Sequence, residues 1–209
     1  MTSLGNVFII GDSYSTYEGY VPEGYRCYYR DNKEKISCVE KTWWHMLLNI
    51  TNSTLVMNNS SSGTTICKTG YNNAYCDAES FVTRIQKYLA NGISCGKNID
   101  TVIIFGGTND AGANSPLGTY KESEFSEDDF KKFLPSYSFL LKYLTQDNTQ
   151  MRIISVINCD IKKEFIDWMV EISEKYNIEY VLLKDIDKVD GHPTEKGMEQ
   201  IKNQILNIL

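Results

Sequence analysis

Five short apolar runs punctuate the chain, at residues 7–10, 55–57, 102–105, 153–157 and 180–183. They are rich in β-branched or aromatic residues and do not alternate with polar ones. Such runs predict strands covered on both faces, as in a parallel sheet. The segments between them carry the helical period instead. Trp43, Met46, Leu47 and Ile50 fall at i, i+3, i+4 and i+7, and Phe81, Ile85, Tyr88 and Leu89 follow nearly the same spacing. A long third stripe runs through Phe130, Phe133, Leu134, Tyr137, Leu141 and Leu144, with a kink or break expected at Pro135. A fourth helix is expected over residues 161–176, with Phe165, Trp168, Met169 and Ile172 on one face. The last is marked by Met198, Ile201, Ile205 and Leu209. It follows Pro193-Thr194 and has Glu195 and Glu199 in its early turns, where the helix dipole favours acids.

Strands that alternate with helices predict an open, doubly wound sheet with helices on both faces. Ligands bind such sheets beyond the carboxyl ends of the strands. Two stretches lack a clean period, residues 14–40 and 111–128, and both leave that edge of the sheet. They are expected to shape a cleft.

Composition narrows the function classes. A chain of 209 residues, 42% hydrophobic, is read as one globular domain spanning residues 1–209. The net charge of -6 and the lack of a basic cluster argue against a nucleic-acid partner. An aromatic content of 12%, with 14 Tyr, is too rich for a disordered chain. Cys27, Cys38, Cys67, Cys76, Cys95 and Cys159 form no C-x-x-C pair and have no histidine at zinc-ligand spacing, so no metal site is expected. Cys27/Cys38 or Cys67/Cys76 would bridge loops only in an exported protein. Free thiols are the expectation for a reducing cytosol. No apolar run approaches the ~20 residues of a membrane helix. The first strand begins almost at once, which leaves no visible signal peptide. A cytoplasmic location is therefore expected for the chain as it stands, and a secreted one if a leader has been removed.

Candidate chemistry lies just after the apolar runs. Gly11-Asp12-Ser13 follows the first, and Ser60-Ser61-Ser62-Gly63-Thr64 the second. Gly106-Gly107-Thr108-Asn109-Asp110 follows the third, and Asp187-Lys188-Val189-Asp190-Gly191-His192-Pro193 the fifth. Each piece alone reads as ordinary turn chemistry. Together they hold a hydroxyl nucleophile, a glycine whose N–H a ligand can approach, an amide donor and a base. Only two histidines exist, and His45, behind Trp43-Trp44 in a helical pattern, reads as a packing or rim residue. Ser13 lacks the second glycine of a G-x-S-x-G elbow, which argues against an α/β-hydrolase.

The set resembles the SGNH, or GDSL-type, hydrolase family, and its blocks span residues 11–193. The resemblance implies a three-layer α/β/α sandwich with a five-stranded parallel sheet, flavodoxin-like in layout. It implies Ser13 as nucleophile and His192 as general base. The oxyanion hole would be the N–H groups of Ser13 and Gly63 with the Asn109 side chain, and Asp12 would hold the turn. It implies ester or thioester hydrolysis through an acyl-enzyme, with no metal or cofactor.

The family acid usually stands three residues before the histidine, and here that position is Val189. Asp190 is favoured in its place, because residues i and i+2 of an extended segment point the same way. Asp187 is the alternative in a curled loop, and a backbone carbonyl holding the ring would leave a Ser-His dyad. Tyr14, Tyr17, Tyr20, Tyr25, Tyr28 and Tyr29 crowd the segment after Ser13. Aromatic faces suit sugar rings, so an acetylated carbohydrate ester is the first expectation for the substrate. The family also holds lipases, lysophospholipases and thioesterases, and an acyltransferase would use the same residues. A non-catalytic glycan-binding module is the rival from another class.

Overall fold

The computed structural model describes residues 2–30, 35–90, 99–146 and 151–209. Strands β1 (Asn6–Gly11), β2 (Thr54–Ser60), β3 (Thr101–Phe105), β4 (Arg152–Ile157) and β5 (Glu179–Leu182) form one sheet in the order β2-β1-β3-β4-β5. Every neighbouring pair is parallel. The helices are α1 (Trp43–Thr51), α2 (Phe81–Ala90), α3 (Thr108–Ala113), α4 (Phe133–Gln146), α5 (Lys163–Lys175) and α6 (Glu195–Leu206). They complete a three-layer α/β/α sandwich.

The central strands read as continuous apolar runs because both faces are covered. Val7 and Ile9 of β1, with Ile103 and Phe105 of β3, join one core with Trp43, Leu47, Met198 and Ile201 of α1 and α6. Phe8 and Ile10, with Val102 and Ile104, join the other with residues of α2, α4 and α5. The two-residue period of each strand thus divides its side chains between two helix layers.

Three expectations change in detail. Pro135 does not break its helix. The long stripe divides earlier, into a 3-10 turn at Asp129–Lys131 and α4, and Pro135 falls in the first turn of α4. First-turn N–H groups have no intrahelical acceptor, so the missing donor costs nothing there. Strand β2 runs past its apolar core through Asn58, Asn59 and Ser60, all buried. These polar groups bond inside the fold: Asn58 Nδ2 donates to the Ser15 carbonyl (2.7 Å) and Ser60 Oγ to Asn58 Oδ1 (2.6 Å). A further pair, β6 (Lys188–Val189) and β7 (His192–Pro193), forms an antiparallel hairpin that periodicity does not reveal.

Cys27, Cys38, Cys67, Cys76 and Cys159 are free thiols, and Cys95 lies outside the described residues, as does the Leu89 side chain. Among the described residues no helix is long and apolar enough to cross a membrane, and no group of three or more His, Cys, Asp or Glu side chains is arranged to hold a metal ion.

Candidate active site

The chain leaves β1 for β2 on one side and reaches β3 on the other, so the carboxyl ends of β1 and β3 flank the point where strand order reverses. That crevice is where doubly wound sheets hold ligands. Ser13 opens a 3-10 turn there, Ser13–Ser15, directly after β1. Asp12 caps the turn, its Oδ1 accepting from the Tyr14 N–H at 3.1 Å. The Asp12 N–H donates to the Phe105 carbonyl at 3.3 Å, which ties the turn to β3. Ser13 is nearly buried, at 6% exposure, yet its hydroxyl meets a histidine.

That histidine is His192, on the β6–β7 hairpin. Val189 pairs with His192 across the hairpin, and Asp190 and Gly191 are the two turn residues, with φ of 51° and 72°. Positive φ at both central residues is the type I′ requirement that Asp-Gly satisfies. His192 Nε2 lies 3.0 Å from Ser13 Oγ, and Nδ1 lies 3.0 Å from the Asp190 carbonyl oxygen. A carbonyl only accepts, so Nδ1 carries the proton and Nε2 is free to accept from the Ser13 hydroxyl.

The partner of the ring at Asp190 is therefore its main chain and not the carboxylate anticipated from an extended segment. The left-handed φ of Asp190 removes the i, i+2 alignment on which that expectation rested. Asp190 is exposed, and its charge acts on His192 only to raise its pKa somewhat. Asp187, the alternative acid, is engaged at the start of α6: its carboxylate accepts from the Thr194 hydroxyl and its carbonyl from the Thr194 N–H at 3.1 Å.

Three tyrosines from the segment after β1 enclose the histidine. The Tyr28 ring stacks face to face on the imidazole, centroids 3.5 Å apart and planes 8° from parallel. Tyr14 meets it edge-on at 5.4 Å, and its hydroxyl donates to the Gly191 carbonyl at 2.5 Å. The Tyr29 hydroxyl donates to the Pro193 carbonyl at 2.8 Å. Two phenols thus grip the backbone on either side of His192, and burial pushes both far above the usual phenol pKa, so both remain donors. Burial holds the His192 pKa below its ordinary value; the hydrogen bond to the Asp190 carbonyl opposes this, and the charges of Lys35 and Lys188 reinforce it. These effects together favour the neutral imidazole.

The other two blocks close in from the flanking strands. Gly63, at φ of 76°, lies in the loop after β2, and Asn109 in the first turn of α3 after β3. Asn109 Nδ2 donates to the Thr64 carbonyl at 3.0 Å, and Asp110 accepts from the N–H groups of Ile66 (2.8 Å) and Cys67 (3.1 Å). The loops after β2 and β3 are thereby joined beside the Ser13 turn.

Underneath lies a residue that motif reading missed. Arg84 of α2 is 1% exposed and donates to the Gly11 carbonyl (3.1 Å), Thr64 Oγ1 (3.0 Å), Asn59 Oδ1 (3.2 Å) and the Asn59 carbonyl. One guanidinium holds the end of β1, the end of β2 and the Gly63 loop together. The sequence does carry a signal for it: Arg84 stands on the apolar face of its helix, three residues after Phe81 and one before Ile85. Nearby, burial raises Asp12 to about 7 and Asp110 to about 6. Next to the Ser13 turn, on the side of Tyr14 and Gly191, lies a cleft of about 500 Å³, lined also by Tyr71, Asn114, Asn158, Asp160 and Lys188 among others.

The fold is an α/β/α sandwich with these candidate residues gathered at the carboxyl edge of its sheet. The chain matches the family described as GDSL-like Lipase/Acylhydrolase over residues 5–209 and belongs to that family. It is similar over 99% of its length to a candidate GDSL-like lipase from Bacteroides ovatus, at 39% identity and a TM-score of 0.90, covering 98% of that chain. A second candidate GDSL-like lipase, from Bacteroides uniformis, is 37% identical with a TM-score of 0.90, over 98% of this chain and 95% of that one. At 14% identity the fold extends to a family two carbohydrate esterase from Clostridium thermocellum solved in complex with cellohexaose (TM-score 0.64, 100% of this chain and 64% of that one). No match was found among curated proteins.

Proposed function

We propose that this enzyme hydrolyses small acyl esters of carbohydrates through an acyl-enzyme on Ser13, with His192 as its sole proton carrier. The observation that carries the reading is the chain of contacts from Ser13 Oγ through His192 to the Asp190 carbonyl, 3.0 Å at each step. His192 Nε2 takes the Ser13 proton as Oγ attacks the ester carbonyl. The imidazolium then forms two charge-assisted bonds, to the departing alcohol oxygen and to the Asp190 carbonyl. Oxyanion charge is met by the N–H groups of Ser13 and Gly63 and by the Asn109 amide. Losing the last should lower kcat by about 10²–10³. His192 protonates the alcohol, then draws a proton from the water that releases the acid.

The cleft supports a carbohydrate on the alcohol side. Its lining sets the exposed Tyr71 ring beside amide, carboxylate and ammonium groups (Asn114, Asn158, Asp160, Lys188), with Ala111 and Ile161 as its short apolar part. A long acyl chain would want a continuous apolar wall instead. The test is release of p-nitrophenol from p-nitrophenyl acetate and its longer-chain homologues, wild type beside Ser13→Ala. Turnover that prefers acetate and vanishes in the variant is expected. Equal turnover by Ser13→Ala, or a preference for long chains, would overturn the reading.

A further inference from the structure

Asn109 is held by more than its place in α3. Its Nδ2 donates to the Thr64 carbonyl at 3.0 Å, and its Oδ1 accepts from the Tyr71 hydroxyl at 3.2 Å. The Thr64 carbonyl can only accept, so the nitrogen must face it and the oxygen must face Tyr71. An amide group has two N–H bonds in one plane. With one committed to Thr64 and the plane pinned at its oxygen, the direction of the remaining N–H is set.

Tyr71 reaches Asn109 through a gap. A Cβ on Gly112 of α3 would stand 2.8 Å from the Tyr71 hydroxyl oxygen, closer than contact permits, so the approach depends on glycine there. The loop that carries Tyr71 is itself closed: Gly70 N–H donates to the Ala74 carbonyl at 2.9 Å, Ala74 N–H donates to the Tyr71 carbonyl at 3.1 Å, and Thr69 pairs with Tyr75. Despite that anchoring, Tyr71 is 49% exposed and forms part of the wall of the cleft, with Gly112 and Asn114 beside it.

Resting on the reading of Asn109 as an oxyanion donor, we propose that Tyr71 is a positioning and specificity residue. Its hydroxyl aims the Asn109 amide, and its ring is the face on which the sugar of the ester lies. Binding in the cleft and alignment of the oxyanion donor then run through one side chain. A well-seated sugar holds Tyr71, and hence the amide, in register.

The test is steady-state kinetics of the full chain on p-nitrophenyl acetate and on a peracetylated methyl xyloside. The variants are Tyr71→Phe, Tyr71→Leu, Gly112→Ala, Asn109→Ala and the double Tyr71→Phe/Asn109→Ala. Tyr71→Phe keeps the ring and loses one neutral hydrogen bond, so kcat should fall about 3- to 10-fold on both esters with KM held within about twofold. Gly112→Ala displaces the phenol and should reproduce that fall in kcat. Tyr71→Leu should add a rise of about fivefold or more in KM on the xyloside alone. The double variant should be no slower than Asn109→Ala by itself.

Full kcat in Tyr71→Phe, a multiplicative loss in the double variant, or an unchanged xyloside KM in Tyr71→Leu would each overturn the proposal while leaving Asn109 in its role. Unchanged turnover in Asn109→Ala would instead remove the oxyanion reading on which it stands.

Discussion

Asp190→Asn separates two accounts of how His192 is held. In a Ser-His-Asp site the carboxylate fixes the tautomer and offsets the imidazolium charge, and its amide replacement costs about 10⁴ in kcat. Here the group on Nδ1 is the Asp190 carbonyl at 3.0 Å, and the side chain is exposed. Asparagine tolerates the left-handed backbone that this position requires, a φ of 51°, so the hairpin and its carbonyl persist. What changes is one solvent-screened charge, worth at most about 1 kcal/mol, or about fivefold. The Asp190 charge raises the His192 pKa, so its loss should move the acid limb of the rate profile to lower pH, by less than about one unit. The assay is kcat and kcat/KM on p-nitrophenyl acetate from pH 5 to 9, with circular dichroism as the check on folding. A fall of a thousandfold or more in a well-folded variant would refute the reasoning and return the carboxylate to the site.

Three further outcomes are expected. Because the proposed mechanism needs neutral His192 and burial depresses its pKa, the acid limb of wild-type kcat/KM should have its midpoint below the ordinary histidine value of about 6.5; a midpoint at 7 or above would contradict this. Burial raises Asp12 to about 7, so between pH 4 and 7 the folded state binds more protons than the unfolded one, and this contribution is complete at low pH and lost as pH rises through 7. Asp12→Asn should therefore gain on wild type by an amount on the order of a few kcal/mol between pH 5 and 8, read from urea midpoints, and a gap that narrows with rising pH would count against it. Arg84→Met strips donors from buried acceptors at three segments, the Gly11 and Asn59 carbonyls and the Thr64 hydroxyl, and should destabilise the fold by about 3–5 kcal/mol in urea unfolding, whereas a loss under about 1 kcal/mol would show those contacts to be dispensable.

Much of the fold is written in local pattern. Apolar runs without alternation mark strands covered on both faces, and stripes at the helical period mark their covers, because burial on two faces or one leaves its period in the chain. The choice of Ser13, Gly63, Asn109 and His192 as the residues to examine needed only their order after the runs. The hairpin under His192 is carried by turn chemistry rather than by period: Asp190-Gly191 is one of the pairs that accept positive φ at both turn residues, and the extended alignment expected of Asp190 does not survive that turn.

Tertiary structure decided the rest. Which atom faces Nδ1 depends on the path of the backbone through a turn, and residue type does not record it. The grip of Tyr14 and Tyr29 on the carbonyls of Gly191 and Pro193 joins residues separated by 177 and 164 positions. Two of the groups that anchor Arg84 are the main-chain carbonyls of Gly11 and Asn59, a group that every residue carries and that therefore leaves no mark in a sequence. The sequence names the groups that can do chemistry, since side-chain type limits what each can donate, accept or attack. Their orientation comes from hydrogen bonds to a backbone that is chemically alike at every position, so only its folded course determines them.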